Sequence, residues 1–319
     1  LHHFLPFGSP AWKVGLLSSI PHMLVVTFVF LLVQKFTKSV LAGAASSILL
    51  ISNYLFFMYG TTPEVFALFD LFFVLLIFFV VRFEETKHIR FLYAFTFLLG
   101  LSLAHHHIIV VAFPAFAYVF WRHRLRIRKM MSWRRWLNMS GLFLVGLLPY
   151  LYVPLAAHGS SMINWDHPTT LSRFLRLIMR VDYGTFQSGS LIGSLLEQRF
   201  LSVRAFVQFV LADFTRVGIL LAVAGWVWLM KKRRSEAIFL GLLVLLYGPV
   251  FLFYASFPIV NRFTLGTFER FLLPSYIVLY VFVGVGMAGT AQAVRAILLR
   301  IVSPLVQTIA YIGVWMLFA

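Results

Sequence analysis

The 319 residues carry 27 lysines and arginines against 10 aspartates and glutamates, a formal net charge of +17, yet 61% of them are hydrophobic and the mean hydropathy is +0.92. That composition excludes an ordinary soluble domain, and positive charge gathered at the ends of apolar runs excludes nucleic acid as its reason. With no cysteine, disulfides and thiolate metal or redox chemistry are excluded as well.

A bilayer core of about 30 Å needs about 20 apolar residues per helix. Apolar runs near residues 14–34, 39–58, 64–81, 90–104, 108–121, 136–155, 205–230, 237–257, 271–291 and 301–319 therefore predict an all-α polytopic membrane protein of about ten transmembrane helices. Basic connectors follow every second run: Lys35/Lys38, Arg82/Lys87/Arg90, Arg122 to Arg135, Lys231 to Arg234, and Arg295/Arg300. One orientation puts all five in the cytosol. The opposite, outer face then receives residues 1–13, the turn at Glu64, the turn His105–His107, a long loop over 156–204, and residues 258–270. A single transmembrane domain over 1–319, truncated at both ends, is expected, because the chain opens at Leu1-His2-His3 and closes inside the apolar run Trp315–Ala319.

With so few carboxylates, each one carries information. Glu64 follows Pro63 at the start of the third run, where an acid suits either the helix macrodipole or a functional role at the membrane edge. Asp70 lies deeper and calls for a histidine or arginine partner. Glu84, Glu85 and Glu236 stand among cytosolic bases and read as solvated charges. His105, His106 and His107 fall between two short runs. Neighbouring helical residues point about 100° apart, so a regular helix cannot aim all three at one ion. Satisfied polar groups in a helix break, contact with a phosphate or an acceptor sugar, and a metal site all remain open there.

The outer loop reads as a turn through Asp166 and Pro168, a cap at Thr169 and Thr170, and an amphipathic helix from Leu171 to Tyr183. At 100° per residue Arg173, Arg176 and Arg180 fall within about 60° of one another, opposite Leu171, Phe174, Leu175, Ile178 and Val181. A headgroup-anchoring helix and a phosphate-holding edge both fit that pattern. Asp182-Tyr183-Gly184 then stops the helix. Beyond it, Arg262 and Glu269-Arg270 precede the run containing Pro274. Adjacent Glu and Arg side chains on a helix do not face each other, so separate partners are expected. Gly284-Val285-Gly286-Met287-Ala288-Gly289 matches a dinucleotide-binding pattern but lies inside a span, where it reads as close helix packing.

Four stretches carry a family resemblance: Leu5–Trp12; Gly100–His107; Gly146–Leu155, running on through Ile163–Asp166 to Val181–Phe186; and Glu269–Ser275. They resemble a family of membrane glycosyltransferases similar to the enzyme that O-mannosylates IPT/TIG domains and to its bacterial relatives. The resemblance implies a GT-C-like helix bundle that takes a sugar from a polyprenyl-phosphate carrier and passes it, at the non-cytosolic face, to a protein or glycan acceptor. In such enzymes a carboxylate deprotonates the acceptor while cationic groups stabilise the departing phosphate. Carried onto this chain, Glu64 is a supporting acid. His105, His106, His107, Asp166, Asp182, Tyr183 and Glu269 contact substrate, and Arg173, Arg176, Arg180, Arg262 and Arg270 hold the lipid phosphate. No cofactor or resident metal is expected, a divalent ion being left open.

The family's principal acidic stretch lies after the first membrane helix, whereas Leu1 to Lys13 contains no acid. The chain is thus expected to lack that helix and loop, or to be an inactive copy. Its expected location is a bacterial cytoplasmic membrane, or the endoplasmic reticulum in a eukaryote. A transporter or flippase of a lipid-linked or small polar substrate is the rival reading. It calls for inverted repeats and midplane polar groups, whereas no repeat is visible and the polar residues gather at the outer face.

Overall fold

The computed structural model describes residues 7–159, 166–181, 196–301 and 304–316. Every regular element among them is helical. α1 (Pro10–Thr37) starts where Ser9 accepts the Trp12 N–H and Pro10 fills the first turn, and ends at Lys38 with φ 61°. α2 (Val40–Ser52) and α3 (Tyr54–Thr61) meet at a 69° bend, where Asn53 caps the second piece by accepting from the Phe56 N–H. α4 (Phe66–Thr86) and α5 (Ile89–His105) follow. A 3₁₀ segment, His107–Ala112, leads into α6 (Phe113–Arg122) and α7 (Arg124–Met130). Then come α8 (Trp133–Gly146), α9 (Pro149–Ala157), α10 (Leu171–Ile178) and α11 (Leu196–Lys232). α12 (Arg234–Leu245) passes through a π-type turn at Leu246–Val250 into α13 (Phe251–Ala255). α14 (Arg262–Glu269) passes through a 3₁₀ turn into α15 (Leu273–Ile301), and α16 (Pro304–Met316) closes the described chain.

Six helical stretches among the described residues are long and apolar enough to cross a membrane, or eight if each bent pair counts as one span. Ten were expected. The difference lies in two elements: α5 has 17 residues, short of the roughly 20 a bilayer core requires, and 13 residues of α16 are among those described.

α15 is the central post, with Tyr276, Ile277 and Val285 fully buried. It presses against α11 through glycines. A Cβ on Gly286 would stand 2.0 Å from the Leu221 carbonyl oxygen, and one on Gly225 1.9 Å from that of Phe282. Only hydrogen in place of a side chain permits that approach, so the Gly284–Gly289 run is a packing device. On the other side Ser46 of α2 donates to the Tyr280 carbonyl at 2.7 Å. α1 is tied to α4 by His22, which is 3% exposed and faces the fully buried Asp70 at 3.2 Å. The His22 Nδ1–H donates to the Phe56 carbonyl at 3.1 Å, and its ring stacks on Phe56 at 4.2 Å. The histidine partner that Asp70 calls for is therefore present.

Glu84, Glu85 and Glu236 are not simple solvated charges. Glu84 is 8% exposed and bonds His123 at 3.0 Å and Ser235 at 2.5 Å. Glu85 gathers Lys35 at 2.5 Å, Arg82 at 3.0 Å and Arg233 at 3.8 Å, and Arg233 also reaches Glu236 at 3.3 Å. Bases from four connectors converge on three acids, which ties the helix ends together. Local sequence showed only that both signs were present, not that they would pair across the bundle.

Candidate functional site

The helix breaks at one end of the bundle assemble the site. Thr62 and Pro63 interrupt the chain between α3 and α4, and the backbone of Glu64 is clamped to α1. Its N–H donates to the Ser18 hydroxyl at 3.0 Å, and that hydroxyl returns a bond to the Glu64 carbonyl at 3.3 Å. So held, the Glu64 carboxylate accepts from Arg270 Nη1 at 3.2 Å, the two side chains being 26% and 27% exposed. The Arg270 guanidinium lies 5.2 Å from the centroid of the Phe66 ring. Its Nε is buried and makes no hydrogen bond among the described residues. With one N–H spent on a carboxylate and the side chain 27% exposed, the guanidinium keeps further Nη donors for an anion.

The histidine turn packs against the same aromatics. His106 is in extended conformation at φ −152°, which takes the three rings off any common helical face. His105 Nε2–H donates to the Val65 carbonyl at 2.9 Å. His106 Nδ1 accepts the Ile108 N–H at 3.2 Å, with its ring 5.3 Å from Phe66 and 5.7 Å from Phe69. His107 Nε2–H donates to the Tyr150 hydroxyl at 2.6 Å, and Tyr150 passes a bond to the Leu103 carbonyl at 2.8 Å. Burial, then the charges of His105, His107, Arg180 and Arg270, push His106 down to about 4, so it is neutral at ordinary pH. The histidines have separate partners, and no group of three or more His, Asp or Glu side chains able to hold a metal ion occurs among the described residues.

The structure thus brings Glu64, Arg270 and His105–His107 together, with Arg180 in electrostatic range of His106 and His107. Glu269 lies in electrostatic range of Tyr59 and Asp213, and Tyr59 is in range of Arg270 and Glu64 as well; the Tyr59 hydroxyl donates to the Gly266 carbonyl at 2.8 Å. Arg173 and Arg176 are exposed on α10, Arg262 is exposed at the start of α14, and Asp166 is exposed with φ 57°. The Asp182 and Tyr183 positions lie outside the described residues. The shared arginine face is corrected in one respect. α10 ends at Ile178 and Arg180 has φ 52°, so the helical spacing that would align it with Arg173 and Arg176 does not reach it.

One participant escaped the sequence reading. Asp213 sits inside an apolar span and accepts from the fully buried Tyr276 through its hydroxyl at 2.6 Å. Two residues on, Thr215 has φ 56° and ψ 175°, a strained setting for a β-branched residue. An acid within a 37-residue helix was itself the available signal.

The chain is similar to the protein O-mannosyl-transferase TMEM260 proteins. The family model described as the N-terminal domain of protein O-mannosyl-transferase TMEM260 matches residues 1–129. Mouse protein O-mannosyl-transferase TMEM260 is 29% identical over 308 residues, covering 92% of this chain and 42% of that protein. The Dictyostelium discoideum protein of the same name is 24% identical over 312 residues, covering 89% of this chain and 37% of its own length. The chain spans about two fifths of these curated relatives. No solved structure matches it.

Proposed function

We propose that the chain forms the membrane-embedded body of a protein O-mannosyltransferase that draws its sugar from a polyprenyl-phosphate donor at the non-cytosolic face. The observation that carries this reading is the likeness, over nine-tenths of the chain, to relatives named as protein O-mannosyl-transferases. The Glu64–Arg270 geometry supports it. In the reaction the acceptor hydroxyl oxygen bonds to the anomeric carbon of the mannose, and the bond from that carbon to the phosphate oxygen breaks. The proton passes to a carboxylate, and the polyprenyl phosphate leaves with the electron pair. Arg270 holds the departing phosphate, Glu64 orients the guanidinium, and Arg180 adds positive potential from the turn after α10. Neutral His106 keeps a third positive charge out of that field, and His107 fixes Tyr150.

The test is transfer of labelled mannose from mannosyl-phosphoryl-polyprenol to a serine- and threonine-bearing acceptor in vesicles containing the protein. Transfer that disappears in Arg270→Gln supports the reading. Passage of the labelled lipid across the vesicle membrane with no transfer would overturn it in favour of a transporter.

A further inference from the structure

A cleft of about 430 Å³ opens at the end of α1 remote from Glu64, lined by Leu31, Gln34, Lys35, Lys38, Phe78 and Arg82. Its two helices are in matched register. Lys35 stands four residues beyond Leu31 on α1, and Arg82 four residues beyond Phe78 on α4. Four residues is about one helical turn, so each cation sits directly above an apolar residue at about 6 Å. Phe28, edge-on to Phe78 at 5.2 Å, carries the apolar tier deeper. The cleft is therefore cationic at its mouth and hydrocarbon below.

The charges at the mouth do not balance. Lys35 and Arg82 share the carboxylate of Glu85 at 2.5 and 3.0 Å with Arg233 at 3.8 Å, and Arg233 is also paired with Glu236 at 3.3 Å. Lys38, exposed and held at φ 61° where α1 ends, has no carboxylate partner among the described residues. With Arg233 set against Glu236, the three cations lining the cleft face one acid, which leaves two positive charges at the membrane boundary that carries the basic connectors. Partly buried charge of one sign calls for a counter-ion, and a monoanionic or dianionic phosphate ester is the class that fits lysine and arginine together. The hydrocarbon tier selects among phosphate esters.

We propose that this cleft binds the headgroup of an acidic phospholipid, with the phosphate at Lys35, Lys38 and Arg82 and the first part of an acyl chain along Leu31 and Phe78. The site is independent of the transferase reading and lies at the opposite end of α1 from Glu64.

Native mass spectrometry of the full chain in detergent, titrated with phosphatidylglycerol, phosphatidylcholine or soluble glycerol phosphate, tests it. Phosphatidylglycerol is expected to bind in preference to both. Lys38→Gln and Arg82→Gln should each weaken it about fivefold, the loss for one cation near a membrane surface. Glu85→Gln should strengthen it, because that change leaves the cations unopposed; a purely structural role for Glu85 gives the opposite sign. Lys38 is exposed, so its variant also checks the proposal if the Glu85 change impairs folding. Equal binding of phosphatidylcholine, unaltered affinity in Lys38→Gln, or glycerol phosphate binding as tightly as the lipid would each overturn the assignment.

Discussion

Glu64 and Arg270, 206 residues apart, meet at 3.2 Å where two helix breaks face each other. The pair is only partly exposed, and the Arg270 Nε beside it is buried without a hydrogen bond. If Arg270 carries the phosphate, Arg270→Gln should cut mannosyl transfer by about 10² to 10³-fold, as removal of one charge-stabilising donor does. Glu64→Gln should cost less. The double variant should be no worse than Arg270→Gln alone, because the glutamate acts through the arginine. Initial rates of transfer in vesicles measure all three, and additive losses would mean that Glu64 works independently.

The His22–Asp70 contact makes a different prediction, about stability. Asp70 is wholly buried, and its second oxygen has no hydrogen bond among the described residues. His22→Ala should therefore strand a carboxylate and destabilise the fold by about 3–5 kcal/mol. Replacing both residues by leucine should recover most of that loss. Unfolding midpoints in detergent decide it; equal damage in the single and double variants would show that volume, not charge, governs the position.

How far the sequence foretold these contacts depends on their range. The apolar runs located α1, α4 and α12 because hydropathy is a local property, and the lone acid at Asp70 announced a need for a base. Which base was not legible: His22 lies 48 residues away, and helix azimuth is set by packing that includes Gly225 against Gly286. The candidate site divides in the same way. Glu64, Arg270 and the three histidines stood out as polar residues at breaks, but their meeting required α4, α5 and α14 to converge. Arg180 leaves the face shared by Arg173 and Arg176 because α10 stops at Ile178 and the backbone is left-handed at Arg180. Asp213 is inconspicuous in the sequence because its surroundings look like uninterrupted membrane helix.

His106 predicts a pH dependence. Its ordinary value of 6.5 is pushed down to about 4, first by burial and then by neighbouring positive charge. Between those values the unfolded chain binds a proton that the folded chain refuses. The His106 contribution to stability is therefore fully present above pH 6.5 and is lost as pH drops toward 4. His106→Asn should flatten that slope. Denaturant midpoints at a series of pH values test this, and an unchanged slope in the variant would assign the effect to another group.

Glycine substitutions separate packing from helix propensity. Gly286→Ala places a methyl 2.0 Å from the Leu221 oxygen, forcing α11 and α15 apart at a cost of about 1–3 kcal/mol. Gly266→Ala meets nothing within 4 Å and lies inside α14, so it should be neutral or stabilising by up to about 1 kcal/mol. Opposite signs in thermal unfolding are the expected result.

The Asp213–Tyr276 bond gives the last prediction. Tyr276 is fully buried on α15, six residues after Arg270, and its hydroxyl meets Asp213 at 2.6 Å. Phe214 packs edge-on to Tyr276 at 5.1 Å and against Tyr280 at 4.6 Å, so the strained position at Thr215 is held against one face of α15. Tyr276→Phe removes one hydrogen bond to a carboxylate while keeping the ring, which should cost about 1.5–3 kcal/mol. If the contact positions the start of α15, the same variant should also lower mannosyl transfer, and Asp213→Asn, which keeps an acceptor for the hydroxyl, should largely preserve it. Transfer rates normalised to folded protein distinguish the cases. A loss in Asp213→Asn as deep as that in Tyr276→Phe would mean that the charge of Asp213, rather than its hold on Tyr276, serves the site.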